Sequence, residues 1–312
     1  MNNVLSSITE SIGDTPIIEL KNINNQGHLF AKMEFIQPGG SIKDRAALRI
    51  IQDAYADNRL KKGQTVVEMT SGNMGAGLAI VCLAYRNPFI AVMSAGNSPE
   101  RIKILEALGA KVLLIPQADG SPGKVTGSDI NKAIEKAKLI SQEKGAFYVY
   151  QFNNYSGISA HYSTTGPEIW KNSNGRINAF VSAIGSGCTF IGTSMFLKEQ
   201  KSKIICAAVE PKNAAILRTG HITDSKHIIQ GTGYGIIPPL WKKDLADEII
   251  TVSDDEAIRY TKALAKDEGL YVGYSSGANV CAALKLIKSN KLGKNPVVVT
   301  VLCDTAYKYS DL

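Results

Sequence analysis

Short apolar segments alternate with longer amphipathic segments from residue 64 onward, and this alternation constrains the fold more than any other feature. A first series predicts helices over Met74–Tyr85, Pro99–Leu108 and Ile130–Lys144, and strands over Thr65–Met69, Phe89–Met93, Lys111–Ile115 and Phe147–Tyr150. A second series predicts helices over Gly157–Trp170, Phe190–Gln200, Asp254–Glu268 and Ser276–Ser289, and strands over Ala179–Ala183, Lys203–Val209 and Asn295–Val301. Because strands that alternate with helices form parallel sheets covered on both faces, the two series predict an α/β fold of two doubly wound domains.

This fold class also predicts where a ligand would bind. Doubly wound sheets bind ligands at the carboxyl ends of their strands, so the loops that directly follow strands are where chemistry is expected. We therefore expect the functional residues in these loops, in a cleft between the two lobes. A chain of 312 residues is long enough to build both lobes.

The charge and the cysteines argue against several classes of protein. The net charge is +7, but the lysines are scattered and form no long basic block with aromatic residues, which argues against nucleic-acid binding. A positive field that attracts anionic substrates is the functional interpretation, and a mildly basic surface is the simpler one. The five cysteines are widely spaced without a CxxC pair, which argues against a disulfide framework and against a metal site.

The N-terminal sequence and the apolar segments predict where the protein acts. The opening sequence MNNVLSSITESIGD has no basic region followed by an apolar stretch, and no apolar segment reaches about 18 residues. We therefore expect neither a signal peptide nor a membrane span. A reduced, cytoplasmic setting fits these features.

A lysine stands at an unusual position in the segment PGGSIKDR, residues 38–45, which precedes an Ala/Leu/Ile-rich helical stretch. Lys43 would lie at the start of this helix, where the helix dipole favours anions. A surface lysine balanced by Asp44 is one interpretation. The other is a lysine that loses its charge by condensing with an aldehyde.

A second polar loop, TSGNMG over residues 70–75, lies between a predicted strand and a predicted helix. Hydroxyl groups, an amide and the N–H groups of a helix start together suit a carboxylate ligand. Ordinary N-capping would need only one such side chain. The loop holds three of them in four positions, which favours a binding function.

Three further glycine-rich loops occur later in the chain. GSGCT over residues 185–189 follows a predicted strand and suits a phosphate group, although it is neither a Walker motif nor a full dinucleotide fingerprint. GYSSG over residues 273–277 opens a long apolar helix, in which Ser275 or Ser276 would also serve as an ordinary N-cap. GTGYG over residues 231–235 is typical of a flexible loop, and its functional hint is the hydroxyl of Tyr234.

In this order the loops resemble those of the cysteine synthase and cystathionine β-synthase family, which uses pyridoxal 5'-phosphate (PLP) and has fold type II. The resemblance covers nearly the whole chain and includes GDTPI at residues 13–17, Gln151-Phe152 and TTGPEI at residues 164–169. It implies a tryptophan synthase β-like fold with the active site between two domains. The smaller, mobile domain would comprise residues 42–155, and the larger would comprise residues 1–41 and 156–312.

The resemblance implies a role for each matched residue. Lys43 would hold PLP as a Schiff base and act as the general base at the substrate Cα. Asn73 would bind the ring hydroxyl oxygen of PLP, and Ser275 would face its pyridine nitrogen. The PLP phosphate would be held by Gly185, Ser186, Gly187, Cys188 and Thr189. The residues expected to bind the substrate are Thr70, Ser71, Gly72, Asn73, Met74, Gln151 and Tyr234.

Some residues depart from the pattern of the family and bear on the substrate. Met74 replaces the threonine usual in cysteine synthases, and Cys188 replaces a glycine beside the phosphate. Tyr234 is similar to the tyrosine that cystathionine β-synthases have at this place, where a phenol would assist the departure of a poor leaving group.

The resemblance implies β-replacement or β-elimination on a small amino acid through an α-aminoacrylate intermediate. Cysteine synthesis from O-acetylserine and sulfide is the first hypothesis. Met74 and Tyr234 favour an alternative that uses serine or cysteine and forms cystathionine or releases hydrogen sulfide. A catalytically silent sensor or partner-binding homologue is the hypothesis from another class. The residues that argue against it are the intact set of Lys43, Asn73, Gln151 and Ser275. A nucleotide-binding dehydrogenase is disfavoured because TSGNMG lacks the GxGxxG spacing.

The resemblance also bears on partners. It implies a homodimer, and it makes serine acetyltransferase a candidate partner, because cysteine synthases as a family bind the C-terminal tail of that enzyme. Neither partner follows from the residue patterns alone.

Overall fold

The computed structural model describes residues 4–122, 125–224 and 226–309 of the chain. The chain divides into two compact units. The first unit comprises Gln37–Gly157 with the N-terminal segment up to Ile12, and the second comprises Gly13–Ile36 with the chain from Ile158 onward. Within the described ranges, none of the helices combines the length and the apolar character that a bilayer crossing requires.

The strands and helices are numbered here in chain order. The strands are β1 (Ile17–Glu19), β2 (His28–Met33), β3 (Val66–Met69), β4 (Phe89–Ser94), β5 (Lys111–Ile115), β6 (Phe147–Tyr148), β7 (Ala179–Ala183), β8 (Ile205–Pro211), β9 (Glu248–Val252) and β10 (Val297–Leu302). The α-helices are α1 (Lys43–Ala56), α2 (Asn73–Tyr85), α3 (Pro99–Ala107), α4 (Gly127–Lys144), α5 (Tyr155–Ala160), α6 (Gly166–Asn172), α7 (Cys188–Gln200), α8 (Ile216–Thr219), α9 (Asp254–Glu268) and α10 (Tyr274–Lys288).

The first unit is built on a parallel sheet with the strand order β5-β4-β3-β6 among the described residues. Side chains alternate across this sheet, as the strand period requires. Val66 packs with Ile50 and Leu78 from helices α1 and α2. The next residue, Val67, packs with Ile140 of helix α4 on the opposite face. Helices therefore cover both faces of the sheet, as the sequence predicts.

The second unit is built on a sheet with the order β1-β2-β10-β7-β8-β9 in the described part of the chain. Its strands are parallel except that β1 runs antiparallel to β2. Val181 of the central strand β7 packs in a core with α9 and α10. Phe180 points to the other face, where its ring lies 6.4 Å from that of Phe190 in α7. The predicted α/β class with parallel sheets is confirmed in both units.

Several predicted elements differ from the observed ones in ways that matter for the site. The predicted helix Gly157–Trp170 is interrupted, since a π-helical turn over His161–Thr165 separates α5 from α6. The predicted strand Phe147–Tyr150 ends at Tyr148, because Tyr150 has a left-handed backbone with φ 49°. Helices α2, α7 and α10 begin one or two residues before the predicted starts, which brings motif residues into their first turns. Strands β1, β2 and β9 were not predicted.

Candidate active site

Four helices begin at the predicted loops, and in none of them does the side chain of the residue at the N-cap position cap the helix. The residues at their N-cap positions are Ile42 for α1, Gly72 for α2, Gly187 for α7 and Gly273 for α10. In contrast, α4 and α9 begin with complete capping boxes, formed by Thr126 with Asp129 and by Ser253 with Glu256. The hydroxyls and amides of the motif loops therefore do not serve as ordinary caps, and the N–H groups at these helix starts suit anionic ligands.

Lys43 is the first residue of α1, and its side chain is partly buried. Its backbone N–H donates to the hydroxyl oxygen of Ser41 at 3.3 Å. The neighbouring Asp44 is fully buried and accepts a hydrogen bond from the backbone N–H of Gly39. A Cβ atom on Gly77 would lie 3.0 Å from the same carboxylate, so Asp44 packs between this loop and α2. This burial excludes the interpretation in which Asp44 balances Lys43 at the surface.

The TSGN loop, residues 70–73, connects the end of β3 to the start of α2 in the first unit. The N–H of Thr70 donates to the carbonyl oxygen of Val92 at 3.0 Å, which extends the sheet by one residue into the loop. Ser71 lies next to a cation, because Nη1 of Arg101 in α3 is 3.3 Å from its hydroxyl oxygen. The space beside Gly72 is open, with no described atom within 4 Å of the position of a Cβ. A guanidinium beside open space and an uncapped helix start is favourable for a carboxylate ligand.

Met74 points into the first unit's apolar core. Its side chain is 4% exposed and belongs to the same cluster as Leu78 and Leu105. Its predicted contact with the substrate remains a prediction.

Gln151 opens a single 3-10 turn, Gln151–Asn153, directly after the end of β6. Its side-chain nitrogen Nε2 lies 3.4 Å from the carbonyl oxygen of Met69, the residue that precedes the TSGN loop. Its backbone N–H lies 3.4 Å from the carboxylate of Glu68. The structure therefore brings Gln151 to the same strand end as the TSGN loop, as the resemblance implies.

In the second unit the GSGCT loop, residues 185–189, connects β7 to α7. Gly187 has φ 88°, a left-handed backbone that favours glycine. Gly185 lies directly against the carbonyl oxygen of Gly231, so any side chain at residue 185 would overlap with the GTGYG loop. Cys188, Ser186 and Thr189 are each at least nine-tenths buried. This close-packed loop and the uncapped 13-residue helix behind it fit a phosphate group.

The hydroxyl of Thr189 is held by a buried histidine that the sequence motifs did not single out. Nε2 of His161 lies 3.2 Å from Thr189 Oγ1, and its Nδ1 lies 2.9 Å from Thr165 Oγ1. A neutral imidazole donates from one nitrogen and accepts at the other. If Nε2 donates to Thr189, the single hydroxyl proton of Thr189 is free to be donated to a ligand. The π-helical turn that contains His161 therefore supports the GSGCT loop.

Ser275 lies in the first turn of α10, and its surroundings fix this turn against the end of β10. The hydroxyl oxygen of Ser276 accepts from the N–H of Cys303 at 2.9 Å, and the N–H of Gly273 donates to the backbone carbonyl oxygen of Asp304 at 3.0 Å. One turn further along α10, the side chain of Asn279 accepts from Ala183 N at 2.7 Å and donates to Val301 O at 2.8 Å. The lone asparagine in an apolar helix is the sequence signal for this connection, which joins the ends of β7 and β10.

Tyr234 lies in the GTGYG loop and is 39% exposed. Its hydroxyl is 4.0 Å from the position that a Cβ on Gly231 would occupy, and Gly231 in turn contacts Gly185. The phenol therefore lies beside Gly231, the residue that contacts the loop after β7, and its predicted role at the substrate remains a prediction.

Comparison with known proteins identifies the class to which this fold and these loops belong. Residues 8–304 match the family model described as pyridoxal-phosphate dependent enzyme. A cysteine synthase of Staphylococcus aureus is 38% identical over 98% of this chain and 95% of that protein. An O-acetylserine dependent cystathionine beta-synthase of Bacillus subtilis is 39% identical over 98% of this chain and 96% of that protein. The crystal structure of a hydrogen sulfide-producing enzyme from Fusobacterium nucleatum superposes with a TM-score of 0.91 at 33% identity, covering 99% of both chains.

The chain therefore belongs to the family of pyridoxal-phosphate dependent enzymes, and it is similar over its full length to members that perform β-replacement or β-elimination. The resemblance, the fold class, the cofactor PLP and the reaction class predicted from the sequence are confirmed. A small amino acid as the substrate class is consistent with the relatives.

Proposed function

We propose that this protein is a cysteine synthase, which replaces the acetate group of O-acetylserine with sulfide. The observation that carries the proposal is the full-length similarity to a cysteine synthase, together with an intact set of Lys43, Asn73, Gln151 and Ser275 on this fold. PLP, when bound, supplies the electron sink that allows a proton to leave the substrate Cα and a substituent to leave its Cβ.

The first unit would provide the covalent and the substrate-binding groups. Lys43 Nζ would hold the cofactor and move the proton at the substrate Cα. Asn73 would hydrogen-bond the ring hydroxyl oxygen of the cofactor. The substrate carboxylate would be oriented by Thr70, Ser71, Gly72, Asn73 and Gln151, which is supported by the open space beside Gly72 and by the cationic Arg101 next to Ser71.

The second unit would provide the phosphate site and the group at the pyridine nitrogen. Gly185, Ser186, Gly187, Cys188 and Thr189 would hold the phosphate at the start of α7, with Thr189 oriented by His161. Ser275 would face the pyridine nitrogen. A serine hydroxyl does not keep this nitrogen protonated as a carboxylate would, so expulsion of a substituent at Cβ is favoured over other outcomes.

A second candidate function is supported by Tyr234. A phenol near the GSGCT loop would donate a proton to a poor leaving group, such as the hydroxyl of serine or the thiol of cysteine. Cystathionine formation or hydrogen sulfide release would follow. The structural relative from Fusobacterium nucleatum, a hydrogen sulfide-producing enzyme, supports keeping this candidate.

Separate incubations with O-acetylserine, serine and cysteine distinguish the two candidates. With sulfide as the nucleophile, we expect O-acetylserine to react with a kcat/KM at least about tenfold above that of serine. Tyr234→Phe, which removes one hydroxyl, should leave the O-acetylserine reaction nearly unchanged and slow any reaction of serine or cysteine. Turnover of serine or cysteine alone would contradict the cysteine synthase proposal and favour the second candidate.

The assembly and the location are also proposals. We propose a cytoplasmic homodimer, and the exposed apolar residues Val4, Leu5 and Ile8 near the N-terminus support a contact with another protein surface. Serine acetyltransferase is a candidate partner through its C-terminal tail. Light scattering of the purified protein, alone and with that tail peptide, would give the mass of each assembly, and a monomer would contradict the proposed dimer.

A further inference from the structure

The backbone that follows strand β6 is held by a side chain of strand β3 and not by its backbone alone. The N–H groups of Phe147 and Val149 donate to Thr65 O at 2.8 Å and Val67 O at 3.1 Å, as in an ordinary parallel pairing with β3. Tyr150 then turns into the left-handed region with φ 49° and ψ 60°, so the backbone leaves the ladder. A non-glycine residue in this region persists only when its surroundings hold it there.

The group that holds it is the carboxylate of Glu68, on strand β3 itself. Its Oε2 accepts from the N–H of Tyr150 at 2.7 Å, and its Oε1 lies 3.4 Å from the N–H of Gln151. One side chain therefore replaces the missing backbone partners of the turn that carries Gln151, the residue expected to bind substrate.

Burial of the Glu68 carboxyl at this position costs free energy, because the group loses its hydration. Glu68 is 1% exposed in the interior of the sheet, and among the described residues no lysine or arginine nitrogen forms an ion pair with it. Burial raises the pKa of its carboxyl to about 8, and the N–H donors of Gln151 and Tyr150 reduce this shift only in part. A buried, perturbed carboxyl beside candidate site residues often has a functional role.

The position of Gln151 shows what this role could be. The 3-10 turn that Gln151 opens is closed by Asn153, whose N–H donates to Tyr150 O at 2.9 Å, and by Asn154, whose Nδ2 donates to Val149 O at 2.7 Å. These bonds fix the turn but do not contact the Gln151 amide. The amide lies 3.4 Å from Met69 O, and the backbone N–H of Gln151 faces the carboxyl of Glu68, so strand β3 positions both Gln151 and the TSGN loop.

We propose that Glu68 is a positioning residue for substrate binding, which fixes the backbone of Tyr150 and Gln151 and thereby places the Gln151 side chain at the substrate carboxylate. This inference rests on the proposed function, in which Gln151 binds that carboxylate. The substrate carboxylate is bound equally in the ground state and in the transition state. Loss of Glu68 should therefore raise KM and leave kcat nearly unchanged.

A double-mutant cycle tests whether Glu68 acts through Gln151. The variants are Glu68→Gln, Gln151→Ala and the double variant, assayed for KM and kcat with the amino-acid substrate. In Glu68→Gln the amide oxygen still accepts from Tyr150 N–H, but the amide nitrogen stands where Oε1 accepts from Gln151 N–H. We expect this loss of one neutral hydrogen bond to raise KM about fivefold, with kcat within about twofold. Gln151→Ala should raise KM more, and the double variant should be no worse than Gln151→Ala, because the two residues act on one contact.

The chain offers a matched control for the cost of replacing a buried carboxyl. Glu210 is 3% exposed at the end of β8, burial raises its pKa, and it accepts from two consecutive N–H groups, Leu217 at 3.0 Å and Arg218 at 2.9 Å. Glu210→Gln should lower the free energy of unfolding without the selective rise in KM. Glu68→Asp is a second variant for Glu68. It keeps the carboxyl group but withdraws its oxygens by one methylene group, and we expect it to raise KM as well.

Each result of the cycle decides the question. A KM unchanged in both Glu68 variants, or fold-changes that multiply in the double variant, would overturn the role of Glu68 and leave the proposed function intact. A KM unchanged in Gln151→Ala would overturn the carboxylate role proposed for Gln151, and the inference with it. A rise in KM for Glu210→Gln equal to that for Glu68→Gln would show that the effect is only structural.

Discussion

Glu68 and Glu210 have buried carboxyl groups that hold neighbouring loops by accepting hydrogen bonds from backbone N–H groups. Each accepts from two consecutive residues at the end of a parallel strand, and burial raises the pKa of each. The two glutamates differ in the segment that they hold in place. Glu210 holds the short helix α8, whereas Glu68 holds the turn that contains Gln151. The same local chemistry thus serves packing in one unit and, by our inference, substrate binding in the other.

The raised pKa of Glu68 predicts how stability depends on pH. In the unfolded chain this carboxyl loses its proton near its ordinary pKa of 4.5, whereas in the folded protein it keeps the proton up to about 8. Between these values the folded state binds one more proton than the unfolded state. The free energy of unfolding should therefore fall as the pH rises, by up to about 1.4 kcal/mol per pH unit from this group, and level off above the folded pKa.

Glu68→Gln isolates this contribution because it has no proton to lose. Urea unfolding of wild type and variant, followed from about pH 5 to about pH 9, should show a steeper decline in the wild type. The groups that face Glu68 or its turn, Tyr148, Tyr150 and Lys138 of α4, are present in both proteins and cancel in the comparison. Identical pH slopes in the two proteins would contradict the raised pKa.

At the scale of elements, the contact between α7 and the π-helical turn His161–Thr165 links the GSGCT loop to the rest of the second unit. Gly192 makes this contact possible. A Cβ at this position would overlap with the carbonyl oxygen of Ile158, and it would lie 2.8 Å from Tyr162 N and 3.0 Å from His161 Cβ. The helix can therefore approach closely enough for His161 to reach Thr189, one turn earlier in α7.

Gly192→Ala should push this turn away from α7 and weaken the bond between His161 and Thr189. We expect a loss of about 1–3 kcal/mol in the free energy of unfolding from overpacking and a weaker affinity for PLP. Gly127→Ala is the matched control, because Gly127 is also helical and has no described atom within 4 Å of the position of its Cβ. Fluorescence titration of the apoprotein with PLP measures the affinity, and equal affinities in the two variants would contradict the role of this contact.

The elements differ in how well the sequence predicts them. Helix α9 and strand β7 were predicted to the residue, because a strong apolar period and clear breakers bound them. The π-helical turn was not foreseen, since His161–Thr165 contains no glycine or proline that would interrupt the predicted helix. The starts of α2, α7 and α10 were predicted late, because Asn73, Cys188 and Tyr274 have no strong helix preference and their helices lack side-chain caps. Strand β9 was missed, since its residues are mostly half-buried and show no clear alternation.

At the scale of the whole molecule, each unit contributes a distinct part of the predicted site residues. The first unit holds Lys43, Asn73 and Gln151, and the second holds Thr189 and Ser275. These residues could be predicted because each belongs to a short motif with a fixed spacing. The residues that orient them could not, because Glu68, Arg101 and His161 are defined by contacts across the fold. A buried carboxylate and a buried histidine leave no pattern in the sequence that separates them from ordinary polar residues.

The central claim is that PLP is bound covalently to Lys43. The measurement that tests it most directly is borohydride reduction of the purified protein, followed by peptide mapping by mass spectrometry. Wild type should be yellow before reduction and should carry the pyridoxyl group on the peptide that contains Lys43. Lys43→Ala should lose both the visible band and the modified peptide, whereas Lys132→Ala, at an exposed position on α4, should keep them. A pyridoxyl group on another lysine, or a visible band that survives in Lys43→Ala, would contradict the account.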